Sequence, residues 1–365
     1  MTGTDGLSGV SGLLTAGYHG PPELTVARGF TEWTADPWAI AFVLLLGAAY
    51  AAGLRRVRRA GMPWPVGRVI AFCGLGLGFS VIATMSFVGV YQGVLFYVRA
   101  VQTILLLLVV PLFLVMGRPL TLAIAAWPRA GRRLEAVIRS RVAKVATFPL
   151  IPTLVLVVLP FALYFTSWYP ASLHSDVVRH VTYLVLMLPG LVFFWTLLRV
   201  DPVPTAYPYV VSLWVSGAEV IGDAVLGLAV IAYQNVIAAS YYHALARPWG
   251  PSLRTDQVLG GGVLWILGDI VGLPFLAAQL VQMIREDEAE ARVIDAELDA
   301  RDAARAAAAA AAGQATLPGQ VASGEDGPAV PEGSPAGLPP ERPWWETDPR
   351  FADRFRPVDE PGSGS

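Results

Sequence analysis

Seven apolar stretches, each close to the length a helix needs to cross hydrocarbon, decide what this chain can fold into. They run over 37–54, 68–88, 95–116, 146–167, 180–198, 207–230 and 257–282. About 20 mostly apolar residues span a bilayer as a helix. Inside lipid every backbone N–H and C=O has to find a partner within the protein, which makes these stretches helices. The two-residue alternation of an outer-membrane barrel is absent. The expected fold is an all-α membrane protein, a seven-transmembrane-helix bundle held in a lipid bilayer.

Composition narrows the function. The chain of 365 residues is 55% hydrophobic and 15% charged, with a mean hydropathy of +0.54. Ordinary soluble domains are about 25% charged. A disordered chain and a nucleic-acid binder with a basic field are excluded, so no nucleic-acid partner is expected. The single cysteine, Cys73, excludes a disulfide scaffold and reads as a packing residue. No Walker loop, GxSxG or HExxH occurs, and an enzyme is not expected.

The net charge of −2 conceals two opposite regions. Residues 1–284 hold 18 basic and 11 acidic side chains, a net of +7, and residues 285–365 hold 8 basic and 17 acidic ones, a net of −9. The basic residues also set an orientation. Arg55, Arg56, Arg58, Arg59 and Arg68 lie between the first two stretches, Arg118, Arg129, Arg132, Arg133, Arg139, Arg141 and Lys144 between the third and fourth, and Arg199 after the fifth. The opposite loops carry only Arg28, Arg179, Arg247 and Arg254. The positive-inside rule then puts the N-terminus outside and the C-terminus in the cytosol, as an odd number of spans requires. The opening MTGTDGLSGV lacks the basic region and apolar core of a signal peptide, so the first span is expected to insert directly.

Four regions follow. Residues 1–36 are an exterior Gly/Pro-rich segment, and 37–284 are the membrane domain. Residues 285–312 are rich in Ala, Glu and Arg, with opposite charges four apart at Glu288–Arg292 and Glu297–Arg301, and predict a cytosolic helix. Residues 313–365 form a Pro/Gly-rich tail expected to be disordered. Its aromatic island, PWWETDPRFADRF at 343–355, reads either as a weak surface contact or as a short docking motif.

Ionisable groups at membrane depth are costly and mark candidate sites. Arg99 lies in the third stretch, Glu219 and Asp223 one helical turn apart in the sixth, and Asp269 in the middle of the seventh. Together they predict an intramembrane polar cluster with Arg99 as counter-ion, serving either to fix helix packing or as a proton, metal or solute site. Of four histidines, His19 and His243 lie in loops, and His174 and His180 flank the start of the fifth stretch. Neutral imidazole suits copper, zinc or haem iron, while no HxxxH, CxxC or CxxCH spacing occurs. The intramembrane acids and the helix-breaking Pro111, Pro152, Pro160, Pro189 and Pro274 also suit a proton-coupled small-solute transporter or channel. A haem- or quinone-binding redox subunit is a third reading. Gly74–Gly78 and Gly260–Gly262 permit close helix approach.

A set of short motifs in fixed order resembles the CtaG-type cytochrome c oxidase assembly proteins over about residues 30–295. Trp33, Asp36-Pro37, Tyr50, the run RRVRR, Trp64-Pro65 and MSFVGVYQ at 85–92 come first. VQTILLLLVVPLFLVMGRPL at 101–120, LHSDVVRHVTYLVLMLPGLVFFW at 173–195 and Asp201-Pro202 follow. Asp256-Gln257, Gly260-Gly261, Trp265 and Gly268-Asp269 match a DQxxGGxxxW pattern, and REDEAEARVIDAELDAR looks like the charged tail of actinobacterial members. The resemblance implies a multi-pass protein of the bacterial plasma membrane. It implies a chaperone-like assembly role in the respiratory chain for a haem–copper oxidase, either forming its copper centre or scaffolding a nascent subunit. The partners implied are a cytochrome c oxidase subunit or its copper-delivery chaperones.

On that resemblance His174 and His180 match the family's fifth-span histidines and are the candidate copper donors. Asp256 and Gln257 are candidates at the outer mouth of the seventh helix. The sequence departs from the family elsewhere. Arg99 and Thr103 stand where a His–xxx–His pair is usual, and Ala218–Glu219 where a sixth-span histidine is usual. A cation and an acid at histidine positions suggest an Arg99–Glu219 pair in place of metal chemistry.

Overall fold

The computed structural model describes residues 18–205 and 207–315. Residues 1–17 of the expected exterior segment, and the expected disordered tail with its aromatic island from residue 316 on, lie outside the described residues. Among the described residues every regular element is helical. The elements are α1 (Val26–Thr31), α2 (Pro37–Arg59), α3 (Val66–Tyr91, broken at Ser86), α4 (Phe96–Met116), α5 (Pro119–Ala126), α6 (Pro128–Ile138) and α7 (Arg141–Ala146). After them come α8 (Leu150–Phe165), α9 (Trp168–His174), α10 (Asp176–Leu198), α11 (Tyr209–Ala232), α12 (Ala239–Leu245) and α13 (Leu253–Ala315).

Six of these, α2, α3, α4, α10, α11 and α13, are long and apolar enough to cross a membrane. The stretch expected to be the fourth span, 146–167, is instead a broken pair. At 16 residues α8 reaches about 24 Å at 1.5 Å per residue, short of a ~30 Å hydrocarbon core. It ends where Thr166 turns extended, and α9 leaves it at 67°. Pro170 contributes to the break, because it has no N–H to give the Thr166 carbonyl and fits only in the first turn of a new helix. The chain is a multi-pass membrane protein with six spans, or seven if α8 and α9 are one bent span.

Local chemistry sets the ends of α2. Asp36 caps its N-terminus, accepting from the Trp38 and Ala39 amides at 3.0 and 3.2 Å, and Pro37 occupies the first turn. Arg56, Arg58 and Arg59 in the last turn complement the helix dipole and extend the helix beyond the expected residue 54.

The centre of the bundle is α4. Its apolar stretch is 83% buried against 17% for α2, which makes α2 a peripheral, lipid-facing helix. α4 packs on α3 and α10. Pro111 explains how α4 and α10 approach so closely. It cannot donate to the Leu107 carbonyl, and the residues before it, Leu105–Val109, widen into a π-helical turn. The released Leu107 oxygen points at Gly190 of α10, where a methyl group would collide with it.

α11 and α13 run antiparallel along a second close contact. A methyl group on Gly268 would collide with the Asp223 carboxylate, and one on Gly272 would sit 3.1 Å from Glu219 Oε2. One turn further along, Ser216 Oγ donates to Gln279 Oε1 at 3.1 Å. Glycines four apart on one helix thus make room for acids four apart on the other.

Residues from Asp287 on form a second unit. Its described part is helical to Ala315, with exposed side chains through residue 311 and a surface pair of Arg292 with Glu288 at 3.4 Å.

Candidate functional site

At the end of the bundle where α2 and α10 begin and α3 turns into α4, the helices leave a polar cavity of about 760 Å³. His19, Asp36, Gln92, Asp176, Arg179 and His180 are in its wall. The opposite end carries the basic cluster, where Arg56 stacks on Trp127 at 5.1 Å and Arg68 on Trp64 at 4.7 Å.

His180 is fixed on both sides. Its Nδ1 lies 2.6 Å from the Asp176 carbonyl and its Nε2 lies 2.7 Å from Asp36 Oδ2. Both ring nitrogens therefore face oxygen acceptors. Asp36, 144 residues away in sequence, therefore joins the start of α2 to the start of α10 while capping its own helix. Burial works against its ionised form. The hydrogen bond from His180 and the Ala39 and Trp38 amides outweigh that and hold the carboxyl below its ordinary value.

His174 takes a different position. It is exposed, its Nδ1 lies 2.8 Å from the Pro170 carbonyl, its ring sits edge-on to Tyr241 at 5.2 Å, and it is not part of the cavity wall. The donor set does not fit a resident copper ion. His180 has both nitrogens beside oxygen acceptors, His174 lies outside the cavity wall, and a guanidinium stands at the first expected histidine position. No group of three or more His, Cys, Asp or Glu side chains among the described residues is arranged to hold a metal.

The intramembrane polar residues divide into two groups. Beneath the cavity, Arg99 is 1% exposed and its Nη1 donates to Gln92 Oε1 at 2.6 Å and Gln102 Oε1 at 2.7 Å. The Tyr169 and Tyr183 rings flank the guanidinium at 5.9 and 5.8 Å. Glu219, Asp223 and Asp269 gather separately at the α11–α13 contact, within electrostatic reach of one another. Among the described residues no ion pair joins Arg99 to any of the three, and the expected Arg99–Glu219 pair does not form. Thr103, at the second expected histidine position, bonds the Tyr164 hydroxyl at 2.8 Å.

Asp256 and Gln257 hold backbone rather than lining the cavity. Both oxygens of Asp256 accept amides of α4, from Phe96 and Tyr97 at 3.0 Å each, with Arg247 at 3.4 Å. Gln257 accepts the Ile237 amide at 2.8 Å, and its own amide donates to the Val230, Tyr233 and Asn235 carbonyls. Asp201 plays the same part at the basic end, accepting the Leu120 and Thr121 amides at the start of α5. Sequence reasoning missed the Asp36–His180 bond and the Gln92–Arg99–Gln102 group. The local signals were Asp36-Pro37, a helix start, and two glutamines bracketing an arginine at spacings of seven and three.

Three mycobacterial relatives match at 29% identity. They are uncharacterized proteins of Mycobacterium leprae, aligned over 283 residues, and of Mycobacterium bovis and Mycobacterium tuberculosis, each aligned over 292. The alignments cover 75% of this chain and 43% of the first relative, and 78% and 44% for the other two. The chain thus spans less than half the length of these relatives. No solved structure matches it. The profile of the cytochrome c oxidase caa3 assembly factor family matches residues 48–286, which is most of the helical bundle, and the chain belongs to that family.

Proposed function

We propose that the chain is an assembly factor of the bacterial plasma membrane that holds a nascent subunit of a haem–copper cytochrome c oxidase, without carrying copper itself. The family match over residues 48–286 is the observation that carries the assembly role. The engaged nitrogens of His180 and the cationic Arg99 favour scaffolding over copper transfer. The positive-inside rule, applied to the basic loops of α2–α3 and α5–α7, puts those loops and the C-terminus in the cytosol. The cavity at the opposite end then opens on the outer face, where an assembling oxidase subunit is reached.

Deletion combined with visible spectra of the membranes tests this. Loss of the oxidase haem signal that added copper does not restore is the expected result. Restoration by copper replaces scaffolding with copper delivery, and an undiminished oxidase signal overturns the assembly role. Copper analysis of the purified wild type and of a His174→Ala/His180→Ala variant separates the first two. The scaffolding reading requires equal, negligible metal in both.

A further inference from the structure

Arg99 presents an imbalance that the assembly role does not use. A guanidinium removed from water needs an anion or a full set of acceptors, and a buried charge left without them is strongly destabilising. Arg99 has two acceptors, both neutral amide oxygens and both on Nη1. Its Nε and Nη2 are buried and have no hydrogen-bond partner. The acids near that end of the bundle are committed elsewhere: Asp256 to the α4 amides and Arg247, Asp36 to His180 and the α2 amides, and Asp176 to Arg179.

The two unpartnered nitrogens are adjacent. Together they form the side-on edge of the guanidinium, whose two N–H groups point the same way and match the two oxygens of a carboxylate. The glutamines cannot turn to fill that edge, because their own amide groups are held. Gln92 Nε2 donates to the Tyr183 hydroxyl and the Gly89 carbonyl, and Gln102 Nε2 donates to the Ala83 carbonyl at 2.7 Å. The network therefore fixes the fork with Nη1 satisfied and the Nε–Nη2 edge without an acceptor. Tyr169 and Tyr183 flank it, which suits a planar group.

The cavity supplies a route. Gln92 is in the cavity wall and bonds Arg99 directly, so a single side chain separates the cavity from the guanidinium. The route carries further positive charge. Arg179 is also in the wall, is only singly paired through Asp176 at 2.7 Å, and has an unpartnered Nε.

From these observations we infer that Arg99 is the anchor of a binding site for a small monocarboxylate, which enters through the cavity and takes the Nε–Nη2 edge bidentately. One buried positive charge is neutralised by one negative charge. A carboxylate provides that and the matching pair of oxygens, while a doubly charged phosphate leaves an uncompensated charge in the same low-dielectric site. The inference stands independently of the oxidase role, and its test uses no oxidase.

The test is thermal unfolding of the purified full chain in detergent, titrated with formate or acetate at constant ionic strength against chloride and sulfate. The wild type should show a saturable rise of the midpoint, on the order of a few degrees, with the carboxylates only. Arg99→Gln should abolish the rise. Arg99→Lys keeps a charge but not the fork, and should weaken the apparent affinity by at least about tenfold; it serves where Arg99→Gln does not fold. An equal rise with chloride or sulfate, no rise in the wild type, or an unchanged response in both variants overturns the site.

Discussion

Asp256, in the first turn of α13, caps a helix 160 residues earlier in the chain. Leu95 at the start of α4 offers no side-chain cap, and the amides of Phe96 and Tyr97 bond the two oxygens of Asp256 instead. The carboxylate thus fastens the last membrane helix to the most buried one. With Arg247 also turned on it at 3.4 Å, removing Asp256 strips both amides of their acceptor and leaves Arg247 only the Pro251 carbonyl. Asp256→Ala is expected to cost about 2 kcal/mol or more, as loss of a cap plus desolvated donors. Asp256→Asn, which keeps one oxygen, should cost less. Unfolding midpoints in detergent rank the three proteins, and equal midpoints for wild type and Asp256→Ala exclude the cap.

A second prediction concerns the contact of α4 with α10. Pro111 frees the Leu107 carbonyl, and Gly190 leaves room for it. Gly190→Ala has to push the helices apart at the centre of the bundle, at an expected cost of about 1–3 kcal/mol. A Gly78→Ala control, where a methyl group meets nothing within 4 Å, should be near neutral. If both substitutions change stability by the same amount, the close approach at Gly190 is not being measured.

Which parts of this architecture the sequence discloses follows from the range of the interactions involved. Spans are local, since length and apolarity alone identify α2, α3, α4, α10, α11 and α13. Residues 146–167 look like the others in composition, and the break at Thr166 is set by local geometry to which Pro170, just beyond the stretch, contributes. The site is less legible because its decisive contacts are distant in sequence. Asp36 reads as a cap for α2, and nothing local says that His180, 144 residues on, completes it. Arg99 and Glu219 look like partners because they are the cation and an acid at matching positions. In three dimensions glutamines surround one and glycines make room for the other.

The Asp36–His180 bond predicts an acid-sensitive element at the cavity. The Asp36 carboxyl is held below its ordinary value, so the stability it contributes is fully present above the unfolded value of ~3.9. That stability is lost as pH falls through the lower folded value. Wild type and Asp36→Asn should therefore differ in unfolding midpoint at neutral pH and converge in the acid range below about pH 4. Midpoint curves that stay parallel through that range contradict the assignment.

The division of the intramembrane charges gives the sharpest test of the site's arrangement. If Arg99 and Glu219 formed an ion pair, removing either would strand the other, and removing both would cost far less than the sum. The structure bonds Arg99 to Gln92 and Gln102 and sets Glu219 against Gly272 and Asp223. Two sites without a shared partner add, to within about 0.5 kcal/mol. Arg99→Gln, Glu219→Gln and the double variant should therefore give a coupling energy inside that margin when unfolding is followed in one detergent at one pH. The α11–α13 acids should respond differently among themselves. Glu219→Gln and Asp223→Asn, which meet on one helix face, should couple measurably, because removing one carboxyl relieves the repulsion on its neighbour. A coupling larger for Arg99 with Glu219 than for Glu219 with Asp223 would refute this division.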